Sequence, residues 1–307
     1  MDMEAPQVLL GSRLAIWKTA RQKEWWYTGV YDPISGIYIG FSFLRVALVD
    51  SFHISVFVPG EKNAREWSTT GYLKDLGKSP GTSLHLQNSA LNAHYTGSAE
   101  NGWSFQLQSK GIDLDLHFAT QIPSFTEFDN AIQDQYVMMH YFRNTVQGSL
   151  VLDGERYPID YGLGYYDHCY GKVPRQSGWH WIAVQNKDHS LASLVNYGEN
   201  PQKYSEIYTA PSGEGRWTRL NEDVDFGTAT LDSMEREWSI TSIDMELKMT
   251  LLGRSVVHTR IPPILPFLIK IDHYEQFVSV EGRVRLDGIW IQTGPMFGVF
   301  EQHTGWW

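Results

Sequence analysis

Asp167 and His168 stand side by side in Gly164-Tyr165-Tyr166-Asp167-His168-Cys169-Tyr170-Gly171, and Gly178-Trp179-His180-Trp181 follows closely. A carboxyl group and an imidazole among so many rings suggest proton transfer to an apolar substrate. Burial raises a carboxyl pKa, so a desolvated Asp167 could stay protonated near neutral pH and deliver its proton to an alkene. An imidazole is suited to exchanging protons near neutral pH, so His168 could position water or take the proton back. Trp25, Trp26, Tyr165, Trp179 and Trp181 could shelter the developing carbocation, each well-placed ring contributing roughly 0.5–2 kcal/mol. A pericyclic reaction would need less: walls and donors such as Tyr27, Tyr165, Tyr166, His168 and Trp179 that fold a flexible substrate and polarise a carbonyl. The same residues also read as a buried Asp that caps a turn and a His that completes its hydrogen bonds. Neighbours in a strand point to opposite faces, so only one of Asp167 and His168 is expected to look into a pocket.

The elements that must position these groups are strands. Ile37, Ile39, Phe41 and Phe43 alternate with Tyr38, Gly40 and Ser42. Phe52, Ile54, Val56 and Val58 repeat the pattern, as do Leu114, Leu116 and Phe118, then Met245, Leu247, Met249 and Leu251. Period-two alternation predicts half-buried antiparallel strands. Asp32-Pro33-Ile34-Ser35-Gly36 and Asn186-Lys187-Asp188-His189 carry turn residues and predict hairpins. Short helices are expected only over Ala64 to Lys78 and Phe125 to Gln135, with an extended or turning Ile261-Pro262-Pro263-Ile264-Leu265-Pro266. The Asp153-Gly154 turn and Tyr157-Pro158 suggest a boundary. An N-terminal unit over 1–158 and a C-terminal unit over 159–307 then each open on an aromatic strand and a hairpin: Glu24 to Val30 in the first, Trp179 to Val184 in the second. That echo predicts two related β-barrels in tandem, and a barrel of about eight strands can hold one small ligand.

Composition narrows the classes of function. With 42% hydrophobic and 20% charged residues the chain is a folded globular protein. Twelve Trp and 14% aromatic residues exceed the needs of a plain core and point to a hydrophobic small-molecule ligand. A net charge of −10 and scattered basic residues argue against nucleic acid. No basic amphipathic helix and no run of roughly 18 apolar residues suggests membrane insertion. Met1 to Lys18 has no basic start followed by an apolar run, and Cys169 is the chain's single cysteine, so a cytoplasmic location is expected. The eleven His have no metal-ligand spacing, and no Gly-x-Ser-x-Gly elbow or complete nucleotide-binding glycine loop occurs. No metal and no nucleotide cofactor is therefore expected. Cys169 beside His168 makes a poor thiol dyad, since strand neighbours diverge, and reads as a small strand filler.

Three blocks carry a family resemblance. Glu24-Trp25-Trp26-Tyr27-Thr28-Gly29, with Gly36-Ile37-Tyr38-Ile39-Gly40-Phe41 and Phe43-Leu44-Arg45 behind it, resembles the opening signature of the lipocalin-like hydroxyneurosporene synthase family, which includes the bacterial carotenoid hydratases. Gly164 to Gly171 with Gly178 to Trp181 resembles its second signature. Tyr274-Glu275-Gln276-Phe277-Val278-Ser279-Val280-Glu281-Gly282, then Gly294 and Gly298-Val299-Phe300-Glu301, resembles its closing strands. Cys169-Tyr170-Gly171 departs from the Gln-Trp-Gly that many relatives carry there. The wider group includes fungal Diels-Alderases, kievitone hydratase and, more distantly, tocopherol cyclase. The resemblance implies an all-β fold of two tandem lipocalin-like, calycin-type barrels. It also implies cofactor-independent cyclisation, cycloaddition or hydration of an apolar polyene, polyketide or isoprenoid in a pocket near the interface of the barrels. Asp167 is the implied acid–base residue. Glu275 and Glu301 are candidate pocket residues, and with Glu24 they otherwise read as acceptors for an Arg or Trp, Arg45 and Arg143 being possible partners. A non-catalytic carrier of a hydrophobic small molecule is the competing expectation.

Overall fold

A computed structural model describes residues 22–46, 49–71, 73–75, 82–98, 100–120, 125–129, 136–172, 176–197, 202–209, 215–221, 223–227, 237–261 and 269–306. The chain divides into two compact units, Met1–Ser55 with Glu66–Val173, and Val56–Arg65 with Pro174–Trp307. The first sheet contains β1 (Gln22–Tyr31), β2 (Tyr38–Val46), β3 (Val49–Phe57), β4 (Arg65–Gly71), β5 (Leu73–Asp75), β6 (Thr82–Gln87), β7 (Leu91–Ser98), β8 (Gly102–Ser109), β9 (Ile112–Thr120), β10 (Phe125–Asp129), β11 (Tyr136–Leu152) and β12 (Glu155–Lys172). The second contains β13 (Gln176–Gln185), β14 (His189–Asn196), β15 (Gln202–Thr209), β16 (Arg216–Arg219), β17 (Glu237–Ser242), β18 (Met245–Ile261), β19 (Ile269–Leu286), β20 (Ile289–Gln292) and β21 (Met296–Trp306).

The fold is all-β, two tandem lipocalin-like barrels, as the alternation, the internal echo and the family resemblance together implied. The two sheets share one order. The first runs β4-β3-β2-β1-β12-β11-β9-β8-β7-β6-β5, with β10 on β11; the second runs β16-β15-β14-β13-β21-β19-β18-β17, with β20 on β19. In each, the aromatic opening strand lies between its own hairpin and the last long strand of the unit. The expected echo between Trp25-Trp26 and Trp179-His180-Trp181 is therefore an echo of position. The anticipated break at Tyr157-Pro158 falls inside β12, which continues to Lys172 paired with β1 and β11.

The described residues hold no helix. Arg65–Gly71, Leu73–Asp75 and Phe125–Asp129 are strands where short helices were expected, so sheet pairing overrides local propensity there. Residues 130–135 and the proline segment at 262–266 lie outside the described residues. No helix among the described residues is long and apolar enough to cross a membrane. Both predicted turns form. Asp32 Oδ2 accepts from the Ser35 amide and hydroxyl, and Asn186 Oδ1 accepts from the amides of Asp188 and His189.

The outer strands alternate. β9 reads buried–exposed along its length because one face meets the barrel core and the other meets water. The first core is aromatic: Phe41 stacks on Phe105 at 3.7 Å, and Phe43, Phe52 and Tyr95 close around them. The second is mostly aliphatic around Phe300, with Ile182, Val184, Met249 and Val280. β1 and β12 do not alternate. From Gly164 to Tyr170 every residue is buried, so both faces of this strand are covered. A hairpin tip at Asp153-Gly154, both with positive φ, joins β12 to β11. That hairpin contains two register shifts, one adding a residue to β11 between Tyr141 and Asn144, the other adding one to β12 beyond Val146. They cancel, and His140 lies directly opposite Asp167.

Gly29 on β1 opens the space that Tyr38 fills. A Cβ there would sit 2.1 Å from the Tyr38 hydroxyl, which bonds the Tyr27 hydroxyl at 2.9 Å. Gly29→Ala is expected to expel Tyr38, break that buried bond and lower stability by about 1–3 kcal/mol. A denaturant titration with an unchanged midpoint would refute this packing argument.

Candidate active site

Antiparallel pairing puts opposed residues on the same face, which separates the sequence candidates into three groups. Tyr27, Asp167 and His140 oppose one another across β1, β12 and β11, with Trp25 and Cys169 one step along the same face. Trp26, Tyr166 and His168 lie on the other face of these strands, toward the aromatic core. Trp179, Trp181, Glu275 and Glu301 share one face of β13, β21 and β19 in the second unit.

The first group forms a chain of hydrogen bonds. The Tyr165 hydroxyl donates to Asp167 Oδ2 at 2.8 Å, and His140 Nδ1 lies 2.6 Å from the same hydroxyl. Tyr165 has one proton. While it donates to Asp167, His140 must be the Nδ1–H tautomer and donate to Tyr165. If Asp167 instead holds the proton and donates, Tyr165 turns its own proton toward His140. Phe142 packs on Tyr165 at 4.6 Å between ring centres, and Tyr27 lies 6.2 Å from it on the other side.

Burial dominates the electrostatics. Asp167 is 2% exposed, and desolvation pushes its carboxyl up to about 7, against hydrogen bonds from Tyr165 and the Trp25 indole that favour the ionised form. Desolvation also lowers His140 to about 3, so its imidazole is neutral. Cys169 is fully buried and its thiol is pushed far up, mainly by desolvation and then by the charge of Asp167, which makes it an inert thiol and the strand filler its position suggested.

His168 belongs to a different environment. Its Nε2 meets Glu24 Oε1 at 2.9 Å, and its ring stacks on Trp26 at 5.0 Å and near Tyr170 at 5.4 Å. The partner of Glu24 is thus this imidazole, while Arg45 pairs with Asp50 at 2.9 Å. Tyr166 packs against Trp103, Tyr141 and Tyr95 within the first core. Asp167 and His168 are two groups on two faces and do not act as a pair.

In the second unit Trp179 stacks on His303 at 3.6 Å and its indole donates to Glu301 at 3.3 Å. Glu301 lies opposite both Trp181 and Glu275. Position for position, β21 puts a carboxylate where β12 puts Asp167. A groove of about 340 Å³ opens elsewhere, on the outer face of β6 to β9, lined by His85, Asn92, His94, Gln106, Asp113 and Asp115. Its lining, which also takes in Leu107 and Leu114, includes none of the expected residues.

His140 is the residue that motif reading missed. Nothing around Met138-Met139-His140-Tyr141 marks it, yet folding the chain back about the Asp153-Gly154 turn sets position 140 against position 167.

The fold defines the class to which this protein is similar: two-barrel lipocalin-like proteins, hydratases among them. A structure from Nitrosomonas europaea provisionally assigned as AttH superposes with a TM-score of 0.64 at 15% identity, covering 94% of this chain and 93% of that one. Kievitone hydratase from Nectria haematococca superposes with a TM-score of 0.61 at 12% identity, covering 94% and 90%. No protein-family model and no curated protein sequence matches the chain.

Linkage gives a sign for Asp167. Its folded pKa of about 7 lies above the ordinary 3.8. Between those values the native state keeps a proton that the unfolded chain has released. Stability attributable to this group therefore falls as pH rises through that window, and the deficit is complete above pH 7. Asp167→Asn is expected to melt higher than the wild type at pH 8 and to lose that advantage at pH 4. Equal differences at both pH values would contradict a buried, protonated carboxyl.

The two faces should also separate experimentally. His168→Ala is expected to cost about 3 kcal/mol, since it strands a buried Glu24. It should leave the carboxyl titration of Asp167, followed by infrared difference spectroscopy, near pH 7. Movement of that titration by a full unit would show the two groups to be coupled.

Proposed function

We propose that this chain is a cofactor-independent hydro-lyase that protonates an alkene of an apolar polyunsaturated substrate, with Asp167 as the acid. One observation carries the reading: a buried carboxyl whose pKa is pushed up to about 7, hydrogen-bonded through Tyr165 to a neutral His140. Such an acid is about half protonated at neutral pH, where an exposed Asp would be almost wholly ionised. The fold shared with kievitone hydratase supports the reaction class.

The alkene takes the Asp167 proton at one carbon and leaves a carbocation at the other. Trp25, Tyr27, Tyr165 and Phe142 offer ring faces to that charge, at roughly 0.5–2 kcal/mol for each well-placed ring. Water attacks the cation, and the proton it sheds returns to the Asp167 carboxylate. Tyr165 and His140 reorganise with each change of charge, Tyr165 donating to the carboxylate and accepting once it is protonated. Capture of the cation by a second alkene of the same substrate would give a cyclised product by the same acid step.

The test incubates the protein with a panel of acyclic polyenes and terpenoid enones in heavy-oxygen water. Label in a hydrated product assigns hydration, and a product of unchanged mass assigns cyclisation or cycloaddition. Asp167→Asn is expected to reduce turnover at least 1000-fold and Tyr165→Phe 10- to 100-fold, with kcat falling tenfold per pH unit above about 7. Tight binding without turnover, unchanged by Asp167→Asn, would make the protein a carrier.

A further inference from the structure

The groove on the outer face of the first sheet gathers titratable side chains that the alkene chemistry leaves unused, and sheet register builds it. His85 on β6 lies opposite His94 on β7, His94 opposite Gln106 on β8, and Gln106 opposite Asp115 on β9. On the neighbouring row Leu86, Ala93, Leu107 and Leu114 are buried in the core. A slip of one residue would exchange the two faces, so that core fixes where the imidazoles stand. Their rings meet edge to face with centres 5.6 Å apart. His85 Nε2 lies 2.8 Å from Asn92 Oδ1. An amide oxygen only accepts, so Nε2 carries the proton and the His85 lone pair is on Nδ1. Burial and then the nearby His85 lower the His94 imidazole, which leaves it uncharged at neutral pH. Asp113 and Asp115 also line the groove, and no lysine or arginine is among its described lining residues.

We propose that His85 and His94 form an open binding site for a divalent transition-metal ion of the zinc class, joining β6 to β7 on the face away from the aromatic core. An imidazole nitrogen bonded to zinc at about 2.1 Å puts the ion about 3.2 Å from its ring centre, so two imidazoles at a tetrahedral angle have centres about 5.3 Å apart. The observed 5.6 Å is within a small side-chain rotation of that spacing. His85 donates through Nδ1 while its Nε2–H stays on Asn92, the kind of outer partner that fixes the tautomer of a metal-bound histidine. No three His, Cys, Asp or Glu side chains among the described residues converge as a closed cage, so water completes the coordination. The two carboxylates of the groove offset the ion's charge. Neutral imidazoles favour zinc, nickel and copper over magnesium and calcium, which prefer oxygen. The separation of the two histidines in sequence matches no metal motif, and only the β6–β7 register brings them together.

The site stands whether or not the Asp167 strip is catalytic. The full chain, free of any histidine tag and stripped with EDTA, is titrated with zinc chloride alone by isothermal titration calorimetry, with magnesium chloride as the control. Saturable zinc binding is expected with a Kd below about 100 µM, and no magnesium binding. His85→Gln and His94→Gln should each weaken zinc binding at least tenfold, and Asn92→Ala about tenfold through loss of the outer partner. His117→Gln should leave it unchanged, although His117 is an exposed histidine on the same sheet face beside Asp115. A second measurement needs only the wild type: zinc should slow diethylpyrocarbonate modification of His85 and His94 at least fivefold, read from peptide masses, and leave His117 as reactive as before. Absence of saturable binding up to about 1 mM zinc overturns the proposal. So does binding that survives both His85→Gln and His94→Gln, or protection of His117 equal to that of the pair.

Discussion

Removing a carboxyl group from water costs several kcal/mol if it stays ionised, and the arrangement around Asp167 follows from how that cost is met. A guanidinium or ammonium partner would have fixed the charge and ended the usefulness of the proton. The carboxyl instead meets a phenol and an indole, donors that carry no charge, and burial wins over both. The proton stays within reach of neutral pH as a result. His140 must then be neutral to sit beside Tyr165, and the same desolvation that raises the acid lowers the imidazole. One property of the environment, low polarity on a strand covered on both sides, sets the protonation of every group on the strip.

Much of the fold was legible because most strands are wet on one side. Phe43 in β2, Leu114 and Leu116 in β9 and Leu247 and Met249 in β18 alternate with exposed or half-exposed neighbours, and each is buried as expected. The same alternation indicated that Asp167 and His168 would diverge. It could not say which faced the aromatic core, because over Gly164–Tyr170, where every position is buried, there is no polar side to mark. The expected helices failed for a related reason: Arg65–Gly71 and Phe125–Asp129 gain their structure from β3 and β11 partners that local composition does not reveal.

The candidate site was half visible. Tyr165 and Asp167 lie two residues apart in a motif and share a face by simple alternation. His140 is distant in sequence and came into view only through the register of a long hairpin whose two irregularities cancel. Trp25 and Tyr27 remained in the group with Asp167, whereas Trp26 and Tyr166 turned into the core. Their composition is the same, and only strand parity distinguishes them.

Those cancelling irregularities bear on how such a protein can change through time. A single residue gained or lost in β12 would exchange its two faces, sending Tyr166 outward and Asp167 into the aromatic core. Only a compensating change on the partner strand would restore them. The β11–β12 hairpin carries one extra residue on each side, the pattern that an insertion followed by its correction would leave. Lineages built on this hairpin are thus expected to vary it by substitution in place or by paired length changes. Diversity of loop length belongs to strands with one solvated face.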